Sequence, residues 1–339
     1  MSNLKLNVRF AITDSASYFP GLPISNSDIL NAQAKHLGIA RKSPELVDKG
    51  VERLFGHSKR YWVHKPWEPL RSDIPTSEDL AYKSCSGFRA PEVFVHGSTT
   101  TSRYTGSQAA ALAGRLAWQV PAFETKAGCS TSLCALQHAW MYLKSGYKSA
   151  VVSCSETLSK VLSPREPESW LGLSDGAGVI RVESHPKGSF EVLSSYFCNF
   201  GEYVDLFTTR GTLPPTSMET EQNLFTMSGN AEKMKDVSWD HYLKMINTFL
   251  PSQEIRNQIR WIIPHQVNRQ LALKVKQELN ISGELWWVAD RIGNCGGAAI
   301  LTALCAALEE DLFRSSGLLL LLSVGGGLSC AAQLIKVHQ

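Results

Sequence analysis

Short apolar runs alternate along the chain with segments whose apolar residues recur every three or four positions. The runs include VFVHG, AVVSC, GVIRV, RWIIP, LWWVA and LLLLLSV, and a helical pattern such as VNRQLALKVKQEL follows RWIIP. Runs that are apolar throughout predict strands buried on both faces. Their alternation with helices predicts an α/β protein with mostly parallel strands. Beyond Cys129, the residues Leu133, Leu136, Trp140 and Leu143 mark one face of a helix that Gly146 ends.

The order of elements occurs twice. The first pass predicts a strand at Val93–Val95, a helix at Gln108–Trp118, a strand at Ala122–Thr125, a turn with Cys129, a helix, a strand at Ala150–Ser153, the glycine turn SDGAG and a strand. The second predicts a strand at Trp261–Ile263, a helix at Val267–Leu279, a strand at Leu285–Ala289, a turn with Asn294, a helix, a strand at Leu318–Val324, the turn GGG and a strand in AAQLIKV. This predicts internal duplication of a βαβαβ unit, with halves at residues 1–185 and 186–339. A pseudo-twofold axis between them would set the Cys129 and Asn294 turns face to face. Ligands of α/β sheets bind beyond the carboxyl ends of strands, where both turns and His265 fall, so one cleft built by both halves is expected.

Composition narrows the partners. Thirty-four Lys and Arg against 31 Asp and Glu leave a net charge of +3, too little to make nucleic acid or an anionic membrane the main partner. Small molecules and proteins remain. The opening MSNLKLNVRFAITDSASYFPG has no apolar run behind a basic segment, and Asp14 interrupts it, so no signal peptide is expected. LLLLLSV is far shorter than the roughly 20 residues that span a bilayer, which predicts a cytoplasmic protein without membrane insertion. Eight cysteines without small-domain spacing are expected as reduced thiols, most of them in the core.

Cys129 stands at the mouth of a helix, whose dipole lowers a thiol pKa from about 8.5 toward the physiological range. Taken singly, a free cysteine is more often core, a histidine after a strand more often structural, and an asparagine before Cys-Gly-Gly more often a turn residue. Together Cys129, His265 in PHQVN and Asn294 in RIGNCGGAA share one structural address. They supply a nucleophile, a proton carrier or hydrogen-bond donor, and a neutral donor for a developing oxyanion. A papain-like protease needs C-G-S-C-[WY] near a mature start, whereas this cysteine lies in AGCSTSL well inside the chain. Cys129, Cys134 and His138 lack a second ligand cluster for zinc, and the GGG turn has no nucleotide fingerprint, so no metal is expected.

At these residues the sequence resembles the thiolase-fold condensing enzymes, and among them the β-ketoacyl-acyl-carrier-protein synthase III type. The motifs that carry the resemblance run nearly the whole chain: ISNSDIL, GHSKRYW, KAGCSTSL, SDGAG, FTMSGNAEKM, PHQVN, DRIGNCGGAA and SVGGGLSCAAQLIK. It implies a layered αβαβα fold, a homodimer, and Cys129, His265 and Asn294 as catalytic residues. It also implies an oxyanion hole from the amides of Cys129 and Gly326. Tyr104 matches the aromatic residue that reaches across the dimer into the partner's acyl pocket, and Arg269 falls beside the basic position after HQ, which is Gln270 here. By the same resemblance Cys129 takes an acyl group from a thioester of acyl carrier protein or coenzyme A. A malonyl- or β-ketoacyl-type thioester then condenses with it, in a fatty-acid or polyketide pathway, and no cofactor is required.

The sequence departs from the family where members that use coenzyme A clamp its adenine between a tryptophan and an arginine. Here those segments read DKGVERLFG and EPESWLGL, with Arg53 and Trp170 nearby, and the clamp does not carry over. The departure favours a specialised pathway with carrier-borne acyl groups. The aromatic stretch RYWVHKPWEPL is read as a loop covering the acyl pocket or dimer face. Two rivals stay open: an acyltransferase that passes the same acyl group to an alcohol or amine, and a scaffold without turnover.

Overall fold

Leu318–Val324 shows how the pattern becomes architecture. Leu319 and Leu321 enter one apolar cluster while Leu318, Leu320, Leu322 and Val324 enter another, so both faces of the strand are covered. Val93 and Val95 against Phe94, and Ala150 and Val152 against Val151, divide in the same way.

The computed structural model describes residues 3–38, 44–164, 166–209, 216–218 and 225–339. Its strands are β1 (Leu4–Tyr18), β2 (Ile24–Ser25), β3 (Lys59–Arg60), β4 (Val93–Gly97), β5 (Ala122–Thr125), β6 (Ser149–Glu156), β7 (Gly176–Ser184), β8 (Phe190–Asn199), β9 (Phe207–Thr209), β10 (Met227–Gly229), β11 (Ile259–Pro264), β12 (Glu284–Leu285), β13 (Gly317–Gly325) and β14 (Ser329–Val337). Ten form one sheet in the order β12-β11-β13-β14-β8-β1-β7-β6-β4-β5. Read outward from the β8/β1 junction, the two sides repeat each other: two antiparallel steps, then two parallel ones. The duplicated unit is therefore present.

The helices Thr131–Lys144 and Ala299–Glu309 lie between the two sides. The first packs on β4 and β6 and also on β8 and β14; the second packs on β1 and β7 and also on β11 and β13. The helix Ser77–Cys85 covers the outer face of one side and Ala231–Phe249 that of the other, which gives helix, sheet, helix, sheet, helix. Leu133, Leu136, Trp140 and Leu143 are buried in the central layer as their spacing predicts. Trp140 Nε1 donates to Gln333 Oε1 at 3.0 Å, tying that layer to β14.

Three expectations need correction. The sheet is mixed, with parallel pairing confined to β5-β4-β6 and β12-β11-β13, because β1, β7, β8 and β14 run antiparallel to their neighbours. The strand expected at Leu285–Ala289 stops at Leu285, and Ala289–Ile292 is helical. The helix from Gln108 ends at Arg115 rather than Trp118, since Ala117 takes φ +56° and breaks the helical path. All eight cysteines are free thiols, and among the described residues no helix is long and apolar enough to cross a membrane.

Candidate active site

Cys129 is presented by a tight turn. β5 ends at Thr125, Gly128–Ser130 form a single 3-10 turn, and the helix begins at Thr131. Gly128 has φ +53°, and a Cβ there would stand 1.8 Å from Gly326 O, so only glycine allows the close approach. Thr131 Oγ1 donates to Gly128 O at 2.7 Å and accepts from the Ala127 N–H at 2.9 Å. The other half of the molecule grips the same turn: Ser323 Oγ donates to Cys129 O at 3.0 Å and Ser329 Oγ to Ala127 O at 2.8 Å.

The sulfur and the imidazole share one space. A Cβ built on Gly325 would lie 2.6 Å from Cys129 Sγ and 3.9 Å from His265 Cδ2, so a missing side chain keeps the gap between them open. His265 follows β11 directly and is held by its own N–H, which donates to Leu322 O at 2.7 Å. Its side chain is buried, yet neither ring nitrogen has a hydrogen-bond partner. Buried polar atoms are nearly always paired, so an imidazole left bare on both nitrogens stands out as free to take a further hydrogen-bond partner. Burial holds it near a pKa of about 4, leaving it neutral through the physiological range.

Burial also decides the state of Cys129, against the expectation from the helix dipole. It pushes the thiol up to about 11, although hydrogen bonding from the Gly326 and Cys129 backbone draws it down. The resting group is a thiol, so attack requires a proton acceptor. Alkylation of the free enzyme with iodoacetamide is expected to be slow at pH 7 and to climb roughly tenfold per pH unit without a plateau below pH 9, because only the thiolate reacts. A plateau at pH 7 would show a preformed thiolate.

Asn294 sits on the opposite turn. It lies between Ala289–Ile292 and the 3-10 turn Gly296–Ala298. Its Oδ1 accepts from the Gly296 N–H at 2.9 Å, and its carbonyl accepts from the Ser174 N–H at 2.8 Å. The glycines of SDGAG let this loop come close, since a Cβ on Gly176 would meet Cys295 Sγ at 3.0 Å. The turn packs directly on that of Cys129: Gly297 faces Gly128 O and Thr131.

Four supporting residues carry no role in the sequence reading: Glu156, Gln266, Ser323 and Ser329. Gln266 is fully buried; its Oε1 accepts from the N–H groups of Val288 and Ala289, and its Nε2 donates to Pro264 O. It therefore ties the chain after His265 to the chain before Asn294. A serine whose partner is 194 or 202 residues away has no local signature.

The remaining expected residues lie elsewhere. Tyr104 is 67% exposed on the loop after β4, a loop fixed by Gln108 Oε1, which accepts from the Ser102 N–H at 2.8 Å. Arg269 is exposed at the start of the helix Arg269–Glu278, beside Gly56, while Gln270 Nε2 donates to Arg53 O at 3.1 Å. The DKGVERLFG segment thus meets this helix. Trp170 is fully buried with its Nε1 donating to Ser163 O at 2.8 Å, so it has no free face for an adenine ring. It packs against Trp67, which contacts Trp62, and RYWVHKPWEPL turns these aromatics inward.

The model of 3-oxoacyl-[acyl-carrier-protein] synthase III matches residues 123–201, and that of its C-terminal part matches residues 253–337. The β-ketoacyl-[acyl-carrier-protein] synthase III of Blochmanniella floridana is 32% identical over 222 residues, 63% of this chain and 67% of that protein. The chain belongs to the β-ketoacyl-acyl-carrier-protein synthase III family. Another family member, β-ketoacyl-[acyl-carrier-protein] synthase III 1 of Vibrio cholerae, is 27% identical over 96% of this chain and 98% of its own length. The crystal structure of 3-oxoacyl-(acyl carrier protein) synthase III from Pseudomonas aeruginosa PAO1 superposes with TM-score 0.81 at 18% identity, covering 98% of this chain and 99% of that one. The layered, duplicated architecture is the thiolase-like fold of the synthase III family, whose members are acyl-transferring condensing enzymes.

Proposed function

We propose that the protein loads an acyl group onto Cys129 and condenses it with a malonyl-type thioester, whose carboxylate leaves as carbon dioxide. The observation that carries this reading is the imidazole of His265, bare on both nitrogens and facing the same gap as the Cys129 sulfur. In the first stage Cys129 Sγ attacks the thioester carbonyl as its proton leaves, and neutral His265 is a base of suitable charge state. The Cys129 and Gly326 amides receive the oxyanion; the carrier thiol departs with a proton, leaving an acyl-enzyme.

In the second stage the carbonyl oxygen of the extender thioester takes hydrogen bonds from His265 and Asn294. Loss of carbon dioxide leaves an enolate whose carbon attacks the acyl carbon, and the Cys129 thiol is released. A neutral imidazole and a neutral carboxamide suit this step, since they stabilise the enolate without being deprotonated by it.

The reading includes a homodimer in which the exposed Tyr104 enters the partner's acyl pocket, and halves divided near residue 185. It includes acyl carrier protein or coenzyme A as the source of the thioesters, in a cytoplasmic fatty-acid or polyketide pathway. Arg269, exposed where the helix meets DKGVERLFG, suits an anionic carrier. Supplying acyl and malonyl thioesters with 13C in the malonyl carboxylate tests the reading. Labelled carbon dioxide and a β-keto product are expected in equal amounts. An ester or amide formed from an added alcohol or amine, without labelled carbon dioxide, would overturn condensation.

A further inference from the structure

The last residue of β6 is an acid that neither stage uses. Glu156 is fully buried, opposite Gly176 of β7 in the sheet. Its Oε1 accepts from the Thr99 N–H at 2.8 Å, and its Oε2 accepts from the Thr100 N–H at 3.0 Å and from Thr100 Oγ1 at 2.7 Å. Its principal partners are thus hydrogen-bond donors and not cations. A carboxylate held this way is costly compared with an apolar or neutral polar residue, so its retention calls for a reason.

Its position supplies one. A Cβ on Gly297 would lie 2.5 Å from Glu156 Oε1, and the same point is 3.0 Å from Thr131 Cβ and 3.1 Å from Gly128 O. The carboxylate, the start of the Cys129 helix and the turn after Asn294 therefore meet at one place. The Asn294 carboxamide hangs from the Gly296 N–H, one residue before that contact, so any shift of the turn moves the carboxamide. We propose that Glu156 is a positioning residue for condensation, its carboxylate wedged between the Thr99–Thr100 loop and the Gly296–Ala298 turn so that Asn294 keeps its place relative to Cys129.

The charge on Glu156 is also felt nearby. Its charge raises the thiols of Cys129 on the turn, Cys154 on β6 itself and Cys295 on the Asn294 turn, the titratable groups that feel it among the described residues. Burial pushes Glu156 itself up to about 7. Thr99, Thr100 and Gly176 themselves carry no ionisable side chain.

The inference rests on the ketosynthase reading, and the experiment separates the two. Wild type, E156Q and G297A, whose new methyl would crowd Oε1, are each compared for acyl loading of Cys129 by intact-protein mass and for condensation with a malonyl thioester. Both variants are expected to load within about threefold of wild type and to condense at least about tenfold more slowly, a split that a general fold defect would not produce. E156Q should also move the iodoacetamide profile of Cys129 to lower pH, because a negative charge beside the thiol is gone. Condensation at the wild-type rate in both variants, or loading and condensation falling in proportion, would overturn the positioning role. Wild type that fails to load Cys129 would instead overturn the ketosynthase reading and the inference with it.

Discussion

Asn294→Ala is expected to load acyl groups within about threefold of the wild-type rate while condensing ~100-fold or more slowly, about 3 kcal/mol of lost transition-state stabilisation. The split follows from where charge develops. On the proposed mechanism loading places the oxyanion near the Cys129 and Gly326 amides, which the substitution leaves alone, and condensation places the enolate oxygen by His265 and Asn294. Gly296 already holds the Asn294 oxygen, so the NH2 is the end that can donate to a substrate. Alanine also removes the Gly296 bond, but one hydrogen bond contributes only about 1 kcal/mol, too little to unfold the protein. Stopped-flow loading and steady-state condensation would check the split. Full condensing activity, or an equal loss in both stages, would contradict the assignment.

Gly128→Ala is expected to destabilise the protein by about 2–5 kcal/mol, combining left-handed backbone strain with overpacking, and to abolish loading in whatever remains folded. Gly128 lies at φ +53°, and its new methyl would sit 1.8 Å from Gly326 O and 2.9 Å from Gly326 C. Those are backbone atoms, so no rotamer change relieves the clash. The Cys129 turn and the Gly326 turn must then separate. Denaturant unfolding measures the first effect and intact-protein mass after acyl thioester treatment the second. A variant as stable as wild type that still loads would show that the two turns do not need this contact.

Much of the architecture was legible because both faces of its strands are buried. VFVHG, AVVSC and LLLLLSV stand out as apolar runs, and their strands extend only slightly past the predicted limits. The Cys129 and Asn294 turns stand at equivalent points of the repeat, and His265 follows the strand that opens its second pass. β1 and β8 were harder to see: in Leu4–Tyr18 buried residues are interspersed with exposed ones, and neither strand belongs to the repeat as it was traced. Strand direction is not legible because apolar runs report burial and not whether a neighbour is parallel, and the raised Cys129 thiol is not legible because proximity to a helix end is visible in a sequence and the depth of burial is not. Glu156 ends an otherwise ordinary strand, and only the folded chain puts it against Gly297.

Peptide mass mapping after incubation with an acyl thioester tells whether Cys129 carries the acyl group, because Cys134 and Cys198 are also partly exposed thiols and serve as internal alternatives. The acyl mass is predicted on the Cys129 peptide alone, to be absent in Cys129→Ala, and to disappear when a malonyl thioester is added as β-keto product forms. Acyl mass on Cys134 or Cys198 with Cys129 unmodified, or a Cys129 adduct that a malonyl thioester cannot discharge, would contradict it.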